Sequence, residues 1–171
     1  MKFFLISLVL ISTLVAGKIN MPTQKYDASG SVTDIVIKEN RLYAATDIGS
    51  IDIFNLDSGE KIKSIRINKI KDFMGDEIDA KIFSVDIVGD KPLLLSQGML
   101  GYNRVYIHEN NKTRLLIADL DSLAIIKAKF LDKNTLLLAL LSDEIISYNI
   151  SEKKQNYRVS ASESKFSDFV L

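Results

Sequence analysis

At 171 residues the chain is long enough for one domain with a buried core, and 47% hydrophobic residues place it among globular proteins rather than disordered polymers. Lys plus Arg equals Asp plus Glu at 22 each, and lysine outnumbers arginine 17 to 5, so the chain has neither the field nor the guanidinium groups to draw in nucleic acid or anionic lipid. The absence of cysteine excludes disulfides, thiolate zinc sites, iron–sulfur clusters and a thiol nucleophile.

The chain opens with "MKFFLISLVLISTLVAGK". Lys2 precedes an unbroken apolar or small run from Phe3 to Ala16, and Val15, Ala16 and Gly17 supply small residues for cleavage. This is the pattern of a secretory signal peptide over residues 1–17, cut after Gly17. The run is shorter than the ~20 apolar residues of a bilayer span, which ranks a retained membrane anchor second. Lys18 stands where a lipoprotein would carry its lipidated cysteine. The expectation is an exported protein with no membrane span after cleavage, in which residues 18–30 form a polar lead-in to the folded part.

From residue 31 onward the sequence repeats. "SVTDIVI", "FSVDIVG", "AIIKAKF" and "KFSDFVL" each begin a unit, and aligning Asp34, Asp86, Lys127 and Asp168 gives spacings of 52, 41 and 41 residues. Each of the first three is followed by a charged turn and an apolar run: "RLYAAT", "PLLLS" and "TLLLALL". A third segment follows ("SIDIFNL", "RVYIHEN", "EIISYNI") and then a fourth ("KIKSIRI", "KTRLLIAD", "QNYRVSA"). Alternating polarity, β-branched residues and turn signals every eight to twelve positions make all of these strands. Four strands per ~40 residues is the spacing of a β-propeller blade. A lone twisted four-stranded sheet exposes two apolar faces, and stacking such sheets about an axis buries both. The expected fold is therefore all-β, a propeller of about three blades: 31–81, 82–122 and 123–164, with 165–171 as the first strand of a fourth. Three blades and a strand do not close a ring, so the expectation is an incomplete propeller that is a fragment of a longer one; completion by oligomerisation is the alternative.

The stretch "SIDIFNLDSGEKI" is a third strand, a turn and the start of a fourth. It resembles the WD40 repeat, with Phe54-Asn55 in the place of Trp-Asp and Asp57-Ser58-Gly59 as the turn. His108-Glu109 and Tyr148-Asn149 are the matching pairs in later units. The Gly-His dipeptide and the tryptophan are missing throughout, so the fold is WD40-like and the hydrogen-bonded tetrad of standard blades is not assumed.

Chemistry is sparse. His108 is the only histidine and takes the place of Phe54 and Tyr148, which makes it a strand residue packed between blades or half exposed at a rim rather than a relay or ligand. The acidic cluster Asp72, Asp76, Glu77 and Asp79 lacks the order of a calcium loop and is flanked by Lys69, Lys71 and Lys81, so it reads as a solvated mixed-charge loop. Asp34, Asp86 and Asp168 near the channel strand read as structural acids, hydrogen-bonded to a neighbouring blade or solvated, because Lys127 breaks the series. No catalytic, cofactor-binding or metal-binding residue is assigned, no cofactor is expected, and the protein is expected not to be an enzyme. Two insertions stand out: Asn68–Lys81 between the first two blades, and Gln97–Asn103 between the second and third strands of blade two. Rim loops are where propellers usually bind partners, and the expected partner-binding residues are Phe73, Met74, Asp76 and Glu77 in the first, with Met99, Leu100 and Tyr102 in the second.

The signal peptide together with "ASGSVTDIVIKENRLYAATDIGSIDIFNLDSG", "LLLSQGMLGYNRVYI" and "LLLALLSDEIISYNI" resembles the WD40-like propeller accessory proteins, component L, of bacterial periplasmic nitrate reductase systems. The resemblance spans nearly the whole chain after the signal, and about the N-terminal half of such a propeller. It implies a periplasmic, non-enzymatic protein that assists nitrate reductase maturation or its electron-transfer partners through protein contacts. Two alternatives remain: a general periplasmic interaction scaffold of the outer-membrane assembly type, and a calcium-dependent propeller hydrolase.

Overall fold

The structure is a computed structural model that describes residues 24–118 and 121–161. The expected signal peptide, the first part of the lead-in and the strand expected over 165–171, with Asp168, lie outside the described residues. Among the described residues, no helix is long and apolar enough to cross a membrane.

Apolar residues alternate along each repeat, and each repeat forms one four-stranded antiparallel sheet. The first holds β1 (Val32–Lys38), β2 (Arg41–Thr46), β3 (Ser50–Asn55) and β4 (Lys61–Arg66), in that order. A two-stranded ribbon follows, β5 (Ile70–Lys71) paired with β6 (Glu77–Ile78). The second sheet is β7 (Ile82–Val88), β8 (Lys91–Gln97), β9 (Asn103–Glu109) and β10 (Lys112–Ile117). The third is β11 (Ile125–Phe130), β12 (Thr135–Leu140), β13 (Glu144–Asn149) and β14 (Lys154–Ser160). The inner strands are neighbours: β1 packs beside β7, and β7 beside β11. The three sheets are therefore stacked like the blades of a propeller.

Period two decides which blade each side chain faces. In β8, Leu94 points at the first blade, where it joins Tyr43, Ile51 and Ile53 in one core, while Leu93 and Leu95 point at the third and join Leu136, Leu138 and Ile146 in another. Each middle sheet face is thus buried by a neighbouring sheet. Leu42, Ala44 and Phe54 lie on the other face of the first blade, and the lead-in covers them. Tyr26 meets Phe54 edge to face at 5.5 Å and its hydroxyl donates to the Leu56 carbonyl at 2.8 Å. Ser29 donates its N–H to Asp52 Oδ2 at 2.5 Å and its hydroxyl to Oδ1 at 3.1 Å. Ser64 and Lys61 complete the set around that buried carboxylate. Burial of Asp52 opposes ionisation, but the bonds from Ser64, Ser29 and Lys61 together outweigh it and hold the carboxyl below its usual value.

The inner-strand acids join blades. Asp34 Oδ2 accepts the Val85 N–H at 2.9 Å, and Asp86 Oδ2 accepts the Phe130 N–H at 2.7 Å. One part of the repeat alignment is corrected. Asp34 pairs with Ala45, whose counterparts Leu95 and Ala139 pair with Ser84 and Lys127; Asp86 pairs with Leu93, two residues nearer the hairpin. The bulges in β1, β7 and β11 fall at the same place in each blade and keep the blades in step. The shift arises because the look-alike runs Asp34-Ile35-Val36 and Asp86-Ile87-Val88 begin four and two residues before their strand ends.

Candidate functional site

In an antiparallel sheet, alternate connections emerge at the same edge. The blade-to-blade connection at 67–81 and the β8–β9 turn at 98–102 therefore open on one rim, together with the β12–β13 turn at 141–143. Both insertions fold tightly there. In the first, Asp72 Oδ1 accepts the N–H groups of Met74 at 2.8 Å and Asp76 at 2.9 Å, and the Asp72 N–H donates to the Asp76 carbonyl at 2.9 Å. Gly75, at φ 92°, completes the reversal. In the second, the Gly98 N–H donates to the Tyr102 carbonyl at 2.9 Å and the Tyr102 N–H to the Met99 carbonyl at 3.0 Å.

These closed turns leave their apolar side chains outside. Phe73 is 93% exposed, Leu100 86% and Met74 75%. Leu100 also sits at φ 56°, a left-handed conformation that costs an ordinary side chain roughly 1–2 kcal/mol. The two turns face each other across a cleft of about 270 Å³, with Ile70, Phe73 and Ile78 on one side and Gln97, Met99 and Leu100 on the other. A second cleft, of about 400 Å³, shares Gln97, Gly98 and Gly101 with the first and continues past Tyr102 and Phe83 to Ile126 and Leu141 between blades two and three. Leu141 is 66% exposed at its turn.

Of the expected partner-binding residues, the structure gathers Phe73, Met99 and Leu100 at the first cleft and places Tyr102 at the second. Met74 stands beside Phe73 on the same turn, outside the cleft wall, and Asp76 and Glu77 are exposed on its outer side. Sequence reasoning missed Phe83, Ile126 and Leu141. They lie in or next to strands whose alternation reads as core, and only blade packing reveals that they meet at the rim.

Asp72 spends one carboxylate oxygen, Oδ1, on its own turn. Among the described residues, no group of three or more His, Asp or Glu side chains is arranged to hold a metal ion. His108 is buried, with Nδ1 2.8 Å from Thr113 Oγ1. Burial, then the nearby Lys63 charge, lowers its pKa and keeps the ring neutral near pH 7. Asn55, in the place of the WD40 aspartate, accepts the Asp57 and Ser58 N–H groups at 2.9 Å each. Asn149 accepts the Glu152 N–H at 2.9 Å in the third blade.

No known protein family matches the chain, and no curated protein matches it either. Solved structures do. The computationally designed Ika4 protein superposes with a TM-score of 0.56 at 12% identity, over 88% of this chain and 89% of that one. The β-propeller domain of Myceliophteria thermophila Cps50 (Swd1) gives 0.56 at 14% identity, over 78% and 42%. The WD40 β-propeller domain of Doa1 gives 0.59 at 10% identity, over 81% and 43%. The chain spans less than half the length of those two chains. At such identities the likeness speaks to fold alone: this chain has a WD40-like β-propeller fold.

Proposed function

We propose that the chain is an exported interaction scaffold that binds a protein partner through the rim built by residues 72–76 and 98–102. The carrying observation is the exposure of Phe73, Met74 and Leu100 on turns whose backbones are fixed by their own hydrogen bonds. Exposed apolar side chains on rigid supports lose little conformational freedom on binding, which favours them as contact residues. The WD40-like fold supports a scaffold role, and the role is one of binding rather than catalysis.

The finer reading is that the protein works in the periplasm beside a nitrate reductase, aiding its maturation or its electron-transfer partners. The signal-peptide pattern of residues 1–17 and the sequence resemblance support it. Affinity capture of the tagged, exported chain from a nitrate-respiring host tests it. Reductase subunits should be retained by the parent chain and lost with Phe73→Asp at unchanged export and folding. Retention of outer-membrane assembly components in their place, or equal retention by Phe73→Asp, contradicts the proposal.

A further inference from the structure

We infer that this rim accepts one extended, uncharged polypeptide segment, which crosses the 98–102 turn and sets apolar side chains into the clefts on both sides. The inference rests on the reading of the rim as a protein-binding surface and specifies what that surface takes.

Charge selects the class of occupant. The first cleft is lined by one base and one acid, Lys71 and Asp72, and the Asp72 carboxylate is engaged by its own turn. The second cleft has no charged residue in its lining. Phosphate groups and anionic headgroups therefore find a single lysine and no second base along the track, and a basic peptide finds a single carboxylate. Electrostatic complementarity fits an uncharged apolar segment.

Shape selects its conformation. Clefts of about 270 and 400 Å³ hold a few side chains each. An α-helix, ~10–12 Å across with its side chains, needs an open groove, and here the 98–102 turn stands between the two clefts with Leu100 at its crest. An extended chain advances ~3.3 Å per residue and alternates its side chains, so it can step over that crest and reach down on either side. Gln97 borders both clefts and brings a side-chain amide to the middle of the track, where it can pair with a peptide group of the segment.

Fluorescence anisotropy with the purified chain tests this, using a labelled octapeptide of alternating leucine and serine as probe. The expected result is saturable binding that survives 0.5 M salt and weakens at least tenfold with Phe73→Asp and, separately, with Leu141→Asp, while Ile62→Asp on the outer strand β4 changes nothing. Circular dichroism of each variant establishes that it is folded. Absence of saturable binding overturns the inference, as does tighter association with phosphatidylglycerol vesicles or with an octapeptide of alternating lysine and serine. If Leu141→Asp leaves octapeptide binding intact while Phe73→Asp abolishes reductase capture, the two-cleft inference falls and the proposed function stands. If Phe73→Asp leaves capture intact, the proposed function falls, and the inference falls with it.

Discussion

Asp86 of the second blade reaches across to the third, where its Oδ2 accepts the Phe130 backbone N–H at 2.7 Å and its Oδ1 lies 3.5 Å from the Lys129 ammonium. Asp34 does the same between the first and second blades, to the Val85 N–H at 2.9 Å. Blade stacking is mostly apolar and non-directional. These carboxylates fix one sheet against the next in a single register, because a hydrogen bond tolerates far less sliding than a greasy contact.

Removing such an acceptor leaves a buried N–H without a partner. Asp86→Ala is expected to cost about 1–3 kcal/mol in urea unfolding, and Asp86→Asn, which keeps an acceptor oxygen, clearly less. Equal losses for the two would mean that the inter-blade bond contributes nothing.

The lead-in depends on Asp52. Its folded carboxyl is held below the ordinary value by hydrogen bonds from Ser64, Ser29 and Lys61 that overcome the burial cost. The stabilisation is present above the unfolded value, near ~4, and is lost as pH falls through the folded value. Glu144, held at about 2 by Arg158 and Ser142, follows the same sign. Hydrogen exchange at the Ser29 N–H should rise as pH falls below ~4, after correction for intrinsic rates. In Asp52→Ala, which has no acceptor, the same N–H should exchange readily already at neutral pH. Protection of Ser29 that persists in Asp52→Ala would remove this account of the lead-in.

His108 also has a lowered folded pKa, so its contribution runs in the same direction with pH, although here the neutral form is the one the fold favours. The neutral ring fits the folded state, so its share of stability is present above the unfolded value of ~6.5 and declines as pH drops below it. His108→Phe restores the residue type that Phe54 supplies at the equivalent position, and is expected to fold with unchanged partner binding while flattening the pH dependence between ~7 and ~5. A loss of function in that variant would make His108 more than a packing residue.

Leu100→Gly separates stability from binding. Glycine occupies the φ 56° conformation without the side-chain penalty, so stability should hold or rise by up to ~1 kcal/mol. Partner affinity should fall all the same, because the apolar crest is gone. A variant that binds as before would show that the exposed leucine is incidental.

The strands were legible because the first two blades bury both faces of their middle strands and show as near-continuous apolar runs. "TLLLALL" and "PLLLS" bounded by charged turns permit no other element. The blade-joining role of the acids was legible too, but not their register. Asp34-Ile35-Val36 and Asp86-Ile87-Val88 read alike, yet the first begins four residues before the end of its strand and the second only two, so matching the shared tripeptide put the alignment two residues out of step. The packing of the lead-in escaped notice because residues 24–31 are mostly polar and aperiodic, with Tyr26 and Ala28 as the apolar residues that dock. At the rim, Phe73, Met99 and Leu100 were visible as apolar residues among turn formers. Phe83, Ile126 and Leu141 were not, since their exposure is decided by where neighbouring blades end.

The most direct test of the account is photo-crosslinking from position 100. On the proposed function, a photoreactive amino acid in place of Leu100 is expected to link the chain, in its native host, to an uncharged apolar stretch of a reductase subunit, located by mass spectrometry of the adduct. The same group at position 62, on the far edge of the first blade, should give no such link. Adducts of equal yield from both positions, or adducts from position 62 alone, would contradict the claim that this rim is the surface through which the protein acts.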